Sequence, residues 1–172
     1  MIELRKLSPK SIPMALEKAQ RYRMLNDPDE AESICLDILA IEPGNQTALI
    51  TMLLAVTDKF AHDLTSSFQK AKEIVKKLSD QYCQAYYNGI MFERRAKVHL
   101  KQGRPGAGQM AHDWFSRALE AYGQAIDRCH TDNEDAILRW NSCARFLNDH
   151  AEVKPGGPDA GEMLLDSFDT PH

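Results

Sequence analysis

A chain of 172 residues, 43% apolar and 27% charged, is sized and composed for one soluble globular domain. Its net charge of -4 leaves no basic excess of the kind nucleic-acid binding requires. No run approaches the roughly 18 apolar residues of a membrane span. Glu3, Arg5, Lys6, Lys10, Glu17 and Lys18 interrupt the first twenty residues, so no signal-peptide core is expected there. Cys35, Cys83, Cys129 and Cys143 are widely spaced and form no CxxC pair. They read as small buried residues or free thiols in a reducing compartment, with the cytoplasm as the expected location.

Helix-period patterns follow one another along the chain, with no sustained strand alternation, so the expected class is all-α. After a lead-in over 1–9, Met14, Ala15, Ala19, Tyr22 and Leu25 mark a first helix. Asp27-Pro28-Asp29-Glu30 predicts the start of a second, with Asp27 as cap, Pro28 in the first turn and Glu30 reaching back as a capping box. Ala31, Ile34, Cys35, Ile38 and Leu39 share one face of that helix, which is expected to stop near Pro43-Gly44-Asn45.

A second pair is expected from Leu49, Leu53 and Val56 followed by Ser67, Ala71 and Ile74-Val75, and a third from Tyr82, Ala85, Gly89 and Phe92 followed by Ala118, Tyr122, Ala125 and Ile126. The halves of the third pair are more widely separated, which predicts extra turns on both helices around a Gly103 to Gly108 turn. A last helix, about Asn133 to Asn148, carries Ile137, Trp140, Ala144 and Leu147 and is expected to cap the stack.

The spacing resembles the tetratricopeptide repeat, whose unit of about 34 residues sets a small residue four positions after a large one, then Tyr, Ala, an aromatic and Pro. Here those slots hold Ala15, Ala19, Tyr22, Ala31, Cys35 and Pro43, with Cys35 in place of the aromatic. The later two repeats match less fully. The resemblance covers residues 10–148 and implies a TPR-like right-handed superhelix of about three antiparallel helix pairs plus a capping helix. Residues 149–172 are left as an acidic, flexible tail.

No chemical motif accompanies this pattern. The glycines of 103–108 have neither dinucleotide-binding nor P-loop spacing, and no nucleophile elbow or zincin motif is present. His99 and His112 flank the turn, with Asp113 beside the second, yet two imidazoles without a third ligand make weak grounds for a metal or acid–base site. Trp114, Phe115 and Tyr122 read as core aromatics at helical spacing. No catalytic residue, metal or cofactor is expected, and the chain reads as a non-enzyme.

What the resemblance implies about function is recognition of a peptide or partner helix by the first helix of each pair. Carried onto this sequence, the groove candidates are Leu16, Gln20 and Arg23; Ile50, Leu54 and Thr57; Tyr86, Ile90, Glu93, Arg94 and Lys97; and Arg139 and Arg145 from the last helix. Leu16 and Gln20 stand where a carboxylate-clamping repeat has Lys and Asn, so that clamp is not expected. The mixture of cations and apolar residues suits a partner with acidic and apolar anchors. Arg94, Arg95, Lys97, Arg139 and Arg145, taken singly, read sooner as an ordinary solvated face, and only their joint position points to a binding surface. A self-assembling structural protein, joined through the long third hairpin or the tail, is the alternative reading, and nucleic acid and membrane are not expected partners.

In the tail, Met163, Leu164, Leu165 and Phe168 lie among Glu162, Asp166 and Asp169. This acidic-apolar stretch reads either as a linear motif that docks on the basic groove, in its own molecule or a neighbour, or as a solubilising segment.

Overall fold

The computed structural model describes residues 2–156, and the tail motif of Met163, Leu164, Leu165 and Phe168 lies outside them. Among the described residues the protein is all-α, with no strand. A 3-10 turn, Pro9–Ser11, precedes seven helices: α1 (Ile12–Met24), α2 (Pro28–Ile41), α3 (Gln46–Asp58), α4 (Leu64–Val75), α5 (Gln81–Gln102), α6 (Ala107–Arg128) and α7 (Asp135–Asp149). Each helix packs on the next in the chain, and α1 also reaches α3. None is long and apolar enough to cross a membrane.

The first junction shows how local chemistry sets this order. Asn26 adopts a positive φ of 60°, which asparagine tolerates better than most residues. That turn brings the Asp27 N–H to the Tyr22 carbonyl (2.9 Å) and the Asn26 N–H to that of Arg23 (3.0 Å), the paired closure of a Schellman end. Asp27 then caps α2, accepting from the Glu30 N–H at 3.4 Å. The expected capping box is therefore only half made, because the Asp27 N–H that Glu30 would bind is already held by Tyr22. Asn45, Asp63 and Asp80 repeat the cap at the starts of α3, α4 and α5. Each satisfies an N–H that would otherwise lack a partner in the first turn.

α3 is the central helix. Its run from Ala48 to Thr57 is apolar around most of the circumference, and Leu49, Leu53, Ala55 and Val56 are at most 2% exposed. It packs with Ala19, Cys35, Phe68, Ala71 and Met91 from α1, α2, α4 and α5 in the main core. Ala19 and Ala31 are fully buried, small side chains that let the helix backbones approach.

α5 and α6, 22 residues each, form the longest hairpin, about 33 Å at 1.5 Å per residue. The joining turn sets Gly103 and Gly106 at φ of 60° and 79°, a left-handed conformation glycine adopts without steric cost. At Gly89 the two helices come so close that a Cβ would run into the Tyr122 ring.

α7 differs from the expectation in its rotation. Ala136 and Cys143 are buried, and Phe146 and Leu147 pack on the α5–α6 core. Ile137, Leu138 and Trp140 are exposed at 38%, 64% and 39%. The face turned inward is thus Ala136, Arg139, Cys143 and Phe146, at helical spacing. A polar residue, Arg139, sits within that inner stripe, so reading the apolar residues alone rotates the helix. Val153 is buried in the same core, so the folded body runs past residue 149, where the tail was expected to begin.

Candidate functional site

The inward faces of α3, α5 and α7 enclose a cleft of about 370 Å³. Two carboxylates organise it. Asp58, at the end of α3, pairs with Arg23 of α1 at 2.8 Å and with Arg94 of α5 at 2.5 Å. Glu93 pairs with Lys97 at 2.6 Å and with Arg139 of α7 at 3.4 Å, and it accepts a hydrogen bond from the Tyr122 hydroxyl at 2.7 Å. Four cations thus share two carboxylates, and the cleft keeps a positive excess.

Arg94 has a structural task as well. Its guanidinium donates to the Leu54 carbonyl at 3.1 Å and to the Thr57 hydroxyl, and Thr57 itself donates to Leu54 at 2.9 Å. A cation thereby closes the last turn of α3, where carbonyls lack intrahelical partners and the helix dipole is negative. Burial lowers the Arg94 pKa, partly offset by Asp58.

Glu93 is 2% exposed. Burial alone pushes its carboxyl up, but the hydrogen bonds from Lys97 and Tyr122 and the charges of Lys97 and Arg139 outweigh it. The net shift is downward, so Glu93 is the anion at neutral pH. The same contact pushes the Tyr122 phenol up, burial being the larger cause. Lys97 and Arg139 keep side-chain exposures of 52% and 40%, and they are the cations open to a ligand.

The candidates from the sequence divide into two groups. Ile90, Glu93, Arg94, Lys97 and Arg139 line the cleft together with Thr57, Arg23 joins them through Asp58, and Leu54 supplies a carbonyl. The others do other work. Leu16 packs in the core between α1 and α2, Ile50 packs against the main core, and Gln20 is exposed. Tyr86 stacks on Tyr82 at 5.8 Å and meets Tyr122 at 5.9 Å, and its hydroxyl meets Arg139 at the border of the cleft. Arg145 is exposed and, six positions after Arg139, lies about two thirds of a turn around α7 from it.

Asp58 and Phe60 were absent from the candidates and line the cleft. Asp58 directly follows Thr57, so continuing the groove register by one residue finds it.

His112 and Asp113 stand 3.8 Å apart, too far for a hydrogen bond, while burial and the charges of Arg95 and Arg104 lower the His99 pKa. Among the described residues no group of three or more His, Cys, Asp or Glu side chains is arranged to hold a metal ion.

A second cluster lies on the opposite side of α5. Arg95 is sandwiched between the rings of Phe68 (4.1 Å) and Trp114 (4.0 Å), and Arg117 stacks on Trp114 at 4.5 Å. Trp114 was read as plain core, yet it is half-buried and lines a surface groove of about 410 Å³ between α4, α5 and α6.

No family model, no curated protein and no solved structure matches this chain.

Proposed function

We propose that the chain is a TPR-like helical-repeat module, three helix pairs and a capping helix wound as a right-handed superhelix, that binds a peptide or partner helix in the Asp58–Glu93 cleft. The observation that carries the reading is the meeting of side chains from α1, α3, α5 and α7, the first helix of each pair and the cap, at one concave site. Asp58 and Glu93 hold the cations in fixed positions, which reduces the side-chain ordering a ligand must bring about. The positive excess selects a ligand with carboxylates, and Ile90, Phe60 and Val98 offer apolar contact for an anchor residue. Its role is recognition rather than catalysis, and free thiols at all four cysteines suit a reducing compartment such as the cytoplasm.

Selection from a displayed random-peptide library tests this reading. Acid-containing peptides with an apolar anchor are expected to enrich on the intact chain and to be lost on a folded Lys97→Glu/Arg139→Glu variant. Equal enrichment on both chains sinks the assignment of the cleft.

Self-association is the second reading, favoured by the two ends of the stack. Met14 and Met24 of α1 and Leu25 just after it are exposed at 76%, 84% and 69%, and Ile137, Leu138 and Trp140 of α7 at 38%, 64% and 39%. Among the described residues each terminal helix thus lacks the neighbour that an internal one has. A mass in sedimentation that rises with concentration supports it, and a monomer at all concentrations rejects it.

A further inference from the structure

Each cation of the cleft has a carboxylate partner, whereas three cations at the opposite groove have none. Among the described residues no carboxylate pairs with Lys72, Arg95 or Arg117, and the Arg95 Nε is buried without a hydrogen-bond partner. Only Lys76, at the groove's edge, has an acid, Glu73, at 2.8 Å. The groove between α4, α5 and α6 is lined by Phe68, Lys72, Phe92, Trp114 and Arg117, with Arg95 stacked between the Phe68 and Trp114 rings, and among the described residues no carboxylate is bonded to Lys72, Arg95 or Arg117. A ligand fitted to it carries carboxylates for Lys72, Arg95 and Arg117 and apolar side chains for Phe68, Phe92 and Trp114.

The chain contains such a segment. Residues 157–172 have four acids, Asp159, Glu162, Asp166 and Asp169, and no lysine or arginine, with Met163, Leu164, Leu165 and Phe168 between the acids. The path of the chain just before it is directed to this side of the molecule. Val153 is anchored in the α5–α6–α7 core, Glu152 lies on Gly108, and Gly156 packs against the Gln109 side chain. The backbone so passes from the α7 side around the first turn of α6. Continuing in that direction leads to the flank carrying Trp114 and Arg117, since residue 117 follows 109 by about 80° around the helix and about 12 Å along it. Six residues, 157–162, separate Gly156 from Met163 and span up to about 20 Å extended, enough to bring the motif over the groove.

We propose that residues 162–169 dock in the groove of their own molecule, with Phe168 and the leucines against Phe68, Phe92 and Trp114 and the acids facing Lys72, Arg95 and Arg117. The site is separate from the Asp58–Glu93 cleft, and the inference stands or falls without it. Docking here, and not in the cleft, follows from where the unpaired charge lies. A partner segment of the same acidic-apolar chemistry competes with the tail for the groove.

Zero-length carbodiimide coupling of the full chain at low concentration, followed by peptide mass mapping of the monomer, tests the proposal. The expected product is an amide joining Asp159, Glu162, Asp166 or Asp169 to Lys72 or Lys76 within one chain. Leu165→Ser/Phe168→Ser, which alters nothing in the helical body, is expected to abolish it. Coupling of the tail to Lys97, coupling only between chains, or no coupling to any lysine overturns the proposal. In a Trp140→Phe chain, where Trp114 is the sole indole, acrylamide quenching is expected to rise when Leu165→Ser/Phe168→Ser is added. Unchanged quenching also contradicts docking at this groove.

Discussion

The hydroxyl of Tyr122 on α6 donates to the carboxylate of Glu93 on α5 at 2.7 Å, and both side chains are buried. One bond thus joins the core of the long hairpin to the floor of the cleft. Tyr122 packs against Gly89 and Tyr86, and its hydroxyl helps fix the acid that orders Lys97 and Arg139. The packing of the hairpin and the charge pairs of the cleft meet at this pair.

Removing only the hydroxyl, in Tyr122→Phe, deletes a hydrogen bond to a charged group and is expected to cost about 1.5–3 kcal/mol. Tyr122→Ala also leaves a cavity and is expected to cost about 3–5 kcal/mol. Denaturant unfolding measures both, and a Tyr122→Phe variant as stable as the parent would show that the hydroxyl contributes nothing.

Glycines 89 and 123, both within helices, should respond with opposite signs. Alanine normally gains up to about 1 kcal/mol over glycine in a helix interior. Nothing stands within 4 Å of a Cβ at Gly123, so Gly123→Ala is expected to stabilise. At Gly89 the new methyl meets the Tyr122 ring, and overpacking of about 1–3 kcal/mol outweighs the propensity gain. A stabilising Gly89→Ala would contradict the close approach of α5 and α6.

Acid should loosen the fold through Glu93. Its folded pKa lies below the ordinary carboxylate value, so the unfolded chain takes up the proton first as pH falls. The stabilisation is complete above the unfolded pKa of about 4.3 and is lost as pH drops through the lower folded value. Glu93→Gln, which keeps an acceptor for Tyr122, is expected to flatten that acid limb of a stability–pH profile. A profile with the same slope in both proteins would contradict the assignment.

The thiols of Cys35 and Cys143 are pushed up to about 12, first by burial and then by Glu32 and Glu93 respectively. Burial, with Asp80 beside it, pushes Cys83 up to about 11. Since the thiolate is the nucleophile, iodoacetamide at neutral pH should leave these three unmodified in the native protein. Alkylation of Cys35 without unfolding would contradict its burial.

Much of this architecture can be read from the sequence because local rules specify it. The αα-hairpin at Asp27-Pro28, the small residues Ala19 and Ala31 and the lengthened third pair all follow from capping, side-chain size and spacing. The rotation of α7 does not. There an arginine takes an inward position because Glu93, 46 positions away, supplies its counter-charge. The stacking of Arg95 is hidden from the sequence for the same reason. In sequence it is one more cation beside Arg94, and only the fold brings Phe68 and Trp114 to its two faces. Repeat position points Leu16 to the groove, but its apolar surface is taken up by the neighbouring helix. Electrostatic pairs between distant segments leave no periodic trace, whereas caps and hydrophobic faces do.

Recognition through the cleft, as proposed, is open to paired affinity capture from native lysate. The baits are the intact chain and a Lys97→Glu/Arg139→Glu variant shown to be folded. Partners are expected to be retained by the intact chain and lost by the variant, with binding restored when the partner's acidic residues are reversed in charge. Recovery of the same partners by both baits would contradict it.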